Sequence, residues 1–359
     1  MVATTRAAAG KIQMELIDLF CGGGLFSFAA RDAGMIPTFA VDNDAAPLNM
    51  YKLNFPGATV RCAELGPNKT EVELPPPTRN RHIHLSPECR QVSSANTSCT
   101  DSSNGEALLG WSIDLGVTHY SYSVETVDSS KTRRVVAAAV ARHGSELVSS
   151  VFLDAASLGD PQTRRRLIIG RKGIIDRLKE APGCEMVSVR MAFAEEGLEI
   201  PKEATHVKNS SAVDKNTLSN VRTIDQHAFT VCAARALSFC SADGTTKRSM
   251  SAQHSRVAMG FPKSLRLVGG CVELQRALGN GVTFNTGRVI ALAAMGKPIT
   301  FKRKAPPATA APTRALEDEE EEVDLHKTVK YLLKRDRELR NRLADLEEAL
   351  LFAEKKPRV

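Results

Sequence analysis

The chain has 359 residues, 42% hydrophobic and 25% charged, a balance that fits a globular protein and excludes a disordered or membrane-embedded one. No apolar run reaches bilayer-crossing length, and residues 1–10 lack the apolar core of a secretory signal, so neither a membrane protein nor an exported one is expected. The net charge of +7 lies almost wholly on residues 1–300 and suits a polyanionic partner such as nucleic acid, while the eight cysteines show no paired short spacing, so no zinc or other metal site and no disulfide framework is indicated.

In chain order, Glu15 to Phe20 predicts a buried strand, Gly22–Gly24 a turn, and Ser27–Ala33 a helix closed by Gly34. Thr38–Val41 predicts a second strand with Asp42 at its carboxyl end, followed by a helix from about Pro47 to Leu53. Strand, helix, strand in this rhythm is a βαβ unit, so the fold class is α/β with a doubly wound, mostly parallel sheet. Further strands are expected at His82–Leu85, Tyr120–Val124, Leu147–Leu153 and Leu167–Gly170, with a helix at Val135–His143.

From residue 172 the alternation lapses into polar, irregular sequence such as His206–Asn220, which predicts a separate loop-rich lobe over 172–269. A helical apolar pattern returns at Gly279–Ala294, giving a main domain of 12–171 plus 270–300. The Lys302-Arg303-Lys304 cluster and a Pro/Ala-rich and acidic linker over 301–324 come next. Leu325, Leu332, Leu339 and Leu346 then recur every seven residues, with Val329, Leu343 and Leu350 in the alternate seam and Asp336 as its polar member. This predicts a coiled coil over 325–353 that pairs with a second copy or a helical partner; the other reading is one amphipathic helix docked on its own domain.

Several residues carry candidate chemistry. A glycine turn opening a helix lets backbone N–H groups approach a ligand, and Asp42, closing the next strand, is placed to hold ribose hydroxyls. Phe20 could lie against an adenine face or belong to the core. Cys89 follows Pro87 where a strand meets a loop, a place for a reactive thiol, although a free cysteine is more often a small buried hydrophobe. Glu125 ends another apolar strand. Arg164 and Arg166 alternate at a strand end and so share one face, suited to a phosphate or a substrate oxygen.

Taken together these segments resemble the cytosine-5 methyltransferases, in order, across residues 15–297. Asp18–Ser27 resembles the family's cofactor motif, Val41–Pro56 its second motif, Ser86–Ser93 the nucleophile motif and Val124–Val127 the Glu-Asn-Val motif. Leu158–Gly170 matches the arginine motif closely, Arg248–Pro262 resembles the segment after the recognition lobe, and Leu278-Gly279-Asn280-Gly281-Val282 the closing Gly-Asn-x-Val motif. The resemblance implies a Rossmann-like catalytic domain with a target-recognition lobe, S-adenosylmethionine as cofactor, and DNA as partner and substrate. It implies catalytic roles for Cys89, Glu125, Arg164 and Arg166, and cofactor contacts at Phe20, Gly22, Gly24, Asp42, Pro87, Asn280 and Val282. A nuclear location is the expectation, a cytoplasmic one the alternative.

Some positions depart from the family pattern. Leu25 stands where a glycine is usual and is expected to crowd the cofactor. Glu88 and Arg90 flank Cys89, with opposite expected effects on its thiol. Thr126 replaces Asn, and Met259 a frequent Gln. Methylation of RNA, or a catalytically weak methyltransferase-like scaffold that binds nucleic acid or a partner, are the other readings.

Overall fold

The computed structural model describes residues 13–301 apart from 70–71, 90, 93–100, 210–220, 235 and 243–246. Arg90, the Lys302–Lys304 cluster, the linker and the 325–353 heptads lie outside the described residues.

Strand β1 (Glu15–Leu19) is buried over its last four residues, as a strand covered on both faces must be. Helix α1 (Leu25–Ala33) follows and ends at Gly34, whose left-handed backbone (φ 104°) turns its N–H back to the last carbonyls. Strand β2 (Ile36–Asp42) leads to α2 (Ala45–Asn54), which begins where the Asp44 side chain accepts the Ala46 N–H at 3.1 Å. Then come β3 (Thr59–Cys62), β4 (Arg81–Leu85), α3 (Ser103–Val117), β5 (Ser121–Thr126), α4 (Ser130–His143), β6 (Ser149–Asp154) and β7 (Arg165–Gly170).

These strands form one sheet in the order β3-β2-β1-β4-β5-β7-β6, parallel except for β7, which runs against both neighbours. Alternation divides the side chains between two layers. Leu16 and Ile168 pack with Phe26, Val289 and Ile290 under α1 and α9 (Phe284–Ala294). Ile17, Leu19, Ile83, Val124 and Ile169 pack with Leu109, Ile113 and Val136 of α3 and α4 on the other face. Strand order reverses between β1 and β4, so a crevice opens there beyond the carboxyl ends.

The structure refines the sequence reading in three places. Helix α5 (Lys172–Lys179) packs on α9 and β6, so residues 172–179 lie with the main sheet. The lobe beyond them is not irregular throughout: α6 (Val189–Glu195) and β8 (His206–Lys208), β9 (Val221–Thr223), β10 (Ser238–Cys240) and β11 (Lys247–Ser249) build a four-stranded antiparallel sheet beside α7 (Ala252–Ala258). Its core is continuous with that of the main domain, since Phe193, Val207, Phe239, Met259 and Phe261 cluster with Leu25, Phe28, Tyr51 and Phe55. Lastly, the single apolar pattern at Gly279–Ala294 is the end of α8 (Cys271–Asn280) and the whole of α9, separated by a turn at Gly281–Thr283.

Among the described residues no helix is long and apolar enough to cross a membrane.

Candidate active site

The glycine turn occupies the crevice. Phe20 takes a left-handed backbone (φ 58°) that a bulky side chain rarely adopts, and Gly22 (50°) and Gly24 (82°) follow. A Cβ on Gly24 would lie 2.7 Å from the rings of Phe55 and Tyr51, so only glycine fits. A Cβ on Gly22 would meet nothing within 4 Å, which marks the open side of the turn.

Asp42 braces it from β2: one carboxylate oxygen accepts the Gly22 N–H at 2.8 Å, the other the Asp44 N–H at 2.9 Å. Burial raises the Asp42 carboxyl above its usual range. The half-buried Phe20 ring lies edge-on to Trp111 at 6.4 Å. The Ser86 N–H donates to the Leu19 carbonyl at 3.2 Å, setting the buried Pro87 beside the turn. On the other flank Gly281 packs on Leu25, which brings the loop of exposed Asn280 and buried Val282 to the same edge.

Leu25 therefore does not crowd the open side. It is 2% exposed and fills the core against Gly281. Phe20, Gly22, Gly24 and Asp42 form the turn beside Pro87, with an open backbone face at Gly22, a carboxylate at Asp42 and a ring at Phe20, whereas Val282 packs in the core with Phe26 and Val289. That donor set fits a nucleoside-bearing cofactor such as S-adenosylmethionine.

The thiol lies next door. Leu85 of β4 pairs with Val124 of β5, and Thr126 of β5 with Leu167 of β7, so the chain after β4, the end of β5 and the start of β7 meet at one edge. Glu125 is 6% exposed, and Arg166 Nε lies 2.7 Å from its Oε1. This contact is an ion pair without hydrogen-bond alignment, so the buried Oε1 still has no donor.

Burial pushes the half-buried Cys89 thiol up; Arg166 draws it down, Glu125 raises it and Arg164 draws it down again. Glu88 is exposed, and these three charges, rather than Glu88, dominate at the thiol. Arg165, between the two arginines, points outward and is exposed, as alternation requires.

Arg164 behaves differently from its neighbour. Its terminal nitrogens donate to the Val231 and Gly279 carbonyls, each at 3.0 Å, tying β7 to the lobe and to α8. Only its buried Nε–H lacks a partner, and burial, then Arg166, lowers its pKa to about 9. Gln162 works alongside, accepting the Val231 N–H at 2.8 Å and donating to the Ala258 carbonyl at 3.0 Å.

Sequence reasoning missed the support beneath the glycine turn. Ser27 Oγ donates to Asp18 Oδ2 at 2.6 Å and lies 2.9 Å from the Tyr51 hydroxyl. Asp18 is 1% exposed, and burial raises its pKa to about 7. The Asp within the motif was legible; that burial raises its carboxyl so far was not. The unfolded chain ionises Asp18 near pH 4 and the folded one near 7, so stability from the neutral form is whole below pH 4 and is lost as pH rises through 7. Asp18→Asn is expected to gain ~2–3 kcal/mol relative to the parent between pH 5 and pH 8. Paired thermal melts across that range check it, and a constant difference would mean that Asp18 is already ionised at pH 5.

No family model matches the chain, and no curated protein does. Solved structures do. A mutant of Spodoptera frugiperda DNMT2 is 16% identical with a TM-score of 0.54, over 79% of this chain and 100% of that one. The S. pombe Dnmt2 methyltransferase is 16% identical with a TM-score of 0.54, over 79% and 99%. The Entamoeba histolytica methyltransferase EhMeth is 12% identical with a TM-score of 0.52, over 79% and 98%. At such identities the likeness is one of fold: the chain has the fold of these methyltransferases, as its resemblance to the cytosine-5 family implied.

Proposed function

We propose that the chain is an S-adenosylmethionine-dependent cytosine-5 methyltransferase acting on DNA. The observation that carries this is the meeting of the Cys89 thiol, the donor-less carboxylate oxygen of Glu125 and the Arg166 guanidinium beside the open glycine turn. Carbon 5 of cytosine is a weak nucleophile and needs covalent activation. Deprotonated Cys89 adds to carbon 6, and the ring electrons move toward carbon 5 and ring nitrogen 3. Glu125 passes that nitrogen the proton given up by the Cys89 thiol and takes it back when the ring electrons return. Arg166 keeps Glu125 in place and favours the thiolate, and the free Nε–H of Arg164 faces the same cluster of charges. S-adenosylmethionine supplies the electrophilic methyl group. Loss of the carbon-5 proton then returns the electrons and expels the Cys89 thiolate. The target base must first leave the duplex, at a cost of a few kcal/mol. The lobe, with Lys208 and Arg248 on its strands, contacts the phosphates.

Transfer of labelled methyl from S-adenosylmethionine to DNA and, in parallel, to RNA tests this, with Cys89→Ala as control. Label in DNA supports it. Label in RNA alone moves the substrate, and label in neither, with cofactor bound, favours the scaffold reading, which the burial-raised Cys89 thiol supports.

The same reading places the chain in the nucleus and assigns residues 325–353 to self-association. A chain ending at residue 324 is expected to lose oligomeric mass in light scattering while still binding cofactor. Unchanged mass would overturn the zipper.

A further inference from the structure

Beneath the site runs a polar chain that the proposed chemistry does not use. His82 and His84 of β4 are fully buried, as is Ser123 of β5. Ser121 Oγ lies 2.7 Å from His82 Nδ1, and Ser123 Oγ 2.9 Å from His82 Nε2. The same Ser123 Oγ lies 2.8 Å from His84 Nδ1, and Ser86 Oγ 2.8 Å from His84 Nε2. All four ring nitrogens therefore meet hydroxyls, in one unbroken row. Strand register explains it: His82 pairs with Ser121 and His84 with Ser123, so Ser86, next on that face, comes level with Glu125. Phe26 stacks flat on His84 (3.4 Å between centroids, 9°) and closes the row from above.

Burial holds both imidazoles neutral, His82 down to about 3 and His84 well below its ordinary value. Each neutral ring has one donor and one acceptor, so its tautomer fixes which neighbouring hydroxyl donates to it and which accepts from it. Such a row is costly to half-satisfy and holds its members firmly when complete. Its last member, Ser86, is three residues from Cys89.

We propose that His82 and His84 are positioning residues, which through Ser86 hold the Pro87–Cys89 turn against Arg166 and Glu125. The charges that act on the thiol are Arg166 and Arg164 at the start of β7 and Glu125 on β5, while Glu88, on the turn itself, is exposed. Around the row, Asp18 lies in register with His84, and His119 acts on His82. Loosening Ser86 lets the thiol drift from the two guanidinium groups, and the thiolate fraction falls. The inference rests on Cys89 as nucleophile, but its test needs no methyl transfer.

The measurement is the pH dependence of iodoacetamide alkylation at Cys89, read on the Cys89 peptide by mass spectrometry. Ser86→Ala breaks the row at its exposed end. His84→Asn keeps a group near Ser123 and loses Ser86, while His84→Gln reaches Ser86. Ser86→Ala and His84→Asn are expected to alkylate about three- to tenfold more slowly at neutral pH, with the profile moved to higher pH. His84→Gln is expected to restore the parent rate within about twofold. A purely structural role would lower the melting temperature and leave the profile in place, and a parent-like profile for Ser86→Ala, the mildest of the three, overturns the proposal. Shifted profiles in a protein that methylates nothing would keep the positioning role and remove the methyltransferase reading.

Discussion

Cys89→Ala is expected to lower methyl transfer by roughly 10³-fold or more, because the proposed chemistry activates the cytosine ring through this thiol. The reasoning rests on placement. Cys89 follows β4, level with the end of β5, and the charges that act on it are the two arginines and the carboxylate of the proposed site. Cys21, by contrast, lies under the glycine turn, where burial, Asp18 and Asp42 all push its thiol up. Cofactor affinity should stay within about twofold, since Cys89 supports none of the glycine-turn contacts with Asp42 or Tyr51. Isothermal titration with S-adenosylmethionine and a label-transfer assay separate the two effects. Transfer near the parent rate in the alanine variant would remove Cys89 from the chemistry. Loss of cofactor binding along with transfer would mean that the turn after Pro87 is part of the cofactor site itself.

Gly279→Ala is expected to cost about 3 kcal/mol of stability and to cripple the site at the same time. A Cβ at Gly279 would stand 2.2 Å from the Ala233 nitrogen and 2.3 Å from the Cys232 carbonyl carbon. Both are backbone atoms, so no rotamer change relieves the overlap, and α8 must move away from the lobe. Arg164 spans this contact, bonding the Gly279 carbonyl with one nitrogen and the Val231 carbonyl with another. Separating the two leaves a buried guanidinium short of an acceptor, which adds to the steric cost. Gly173→Ala is the control: it sits in the first turn of α5, a Cβ there meets nothing within 4 Å, and a small gain of about 0.5–1 kcal/mol is expected. Thermal melts of the pair decide it. Equal melting temperatures would mean that the 231–233 segment yields without cost.

The six strands that carry or border the site were legible because each is an apolar run next to a turn signal. Strand β3 was not, because Thr59–Cys62 is a short, largely exposed edge strand with no buried stripe. Helix α3 contains Gly105, Gly110 and Gly116, residues that read as loop until packing against β5 compensates for their propensity. The lobe strands β8 to β11 have three residues each, too few for an alternation of period two to stand out. At the proposed site, the sequence singled out Glu125, Arg164 and Arg166 but not the different contacts that they make. Arg164 and Arg166 look equivalent two positions apart, yet one bonds backbone carbonyls across the chain and the other pairs with Glu125. That difference comes from partners more than forty residues away, which local pattern does not contain.

The shared core of lobe and sheet has a consequence for redesign. Phe261 lies edge-on to Phe28 of α1 at 5.8 Å, and Met259 and Phe193 belong to the same apolar cluster as Tyr51 and Phe55. A chimera that exchanged the strands β8 to β11 would keep this seam only if Val207 and Phe239, which belong to the same cluster, stayed in place. One that exchanged everything from Val189 to Phe261 would strip aromatic cover from the helices that frame the glycine turn. Exchanging the lobe between chains of this fold therefore calls for cuts inside it, with Phe193, Val207, Phe239, Met259 and Phe261 left in the recipient.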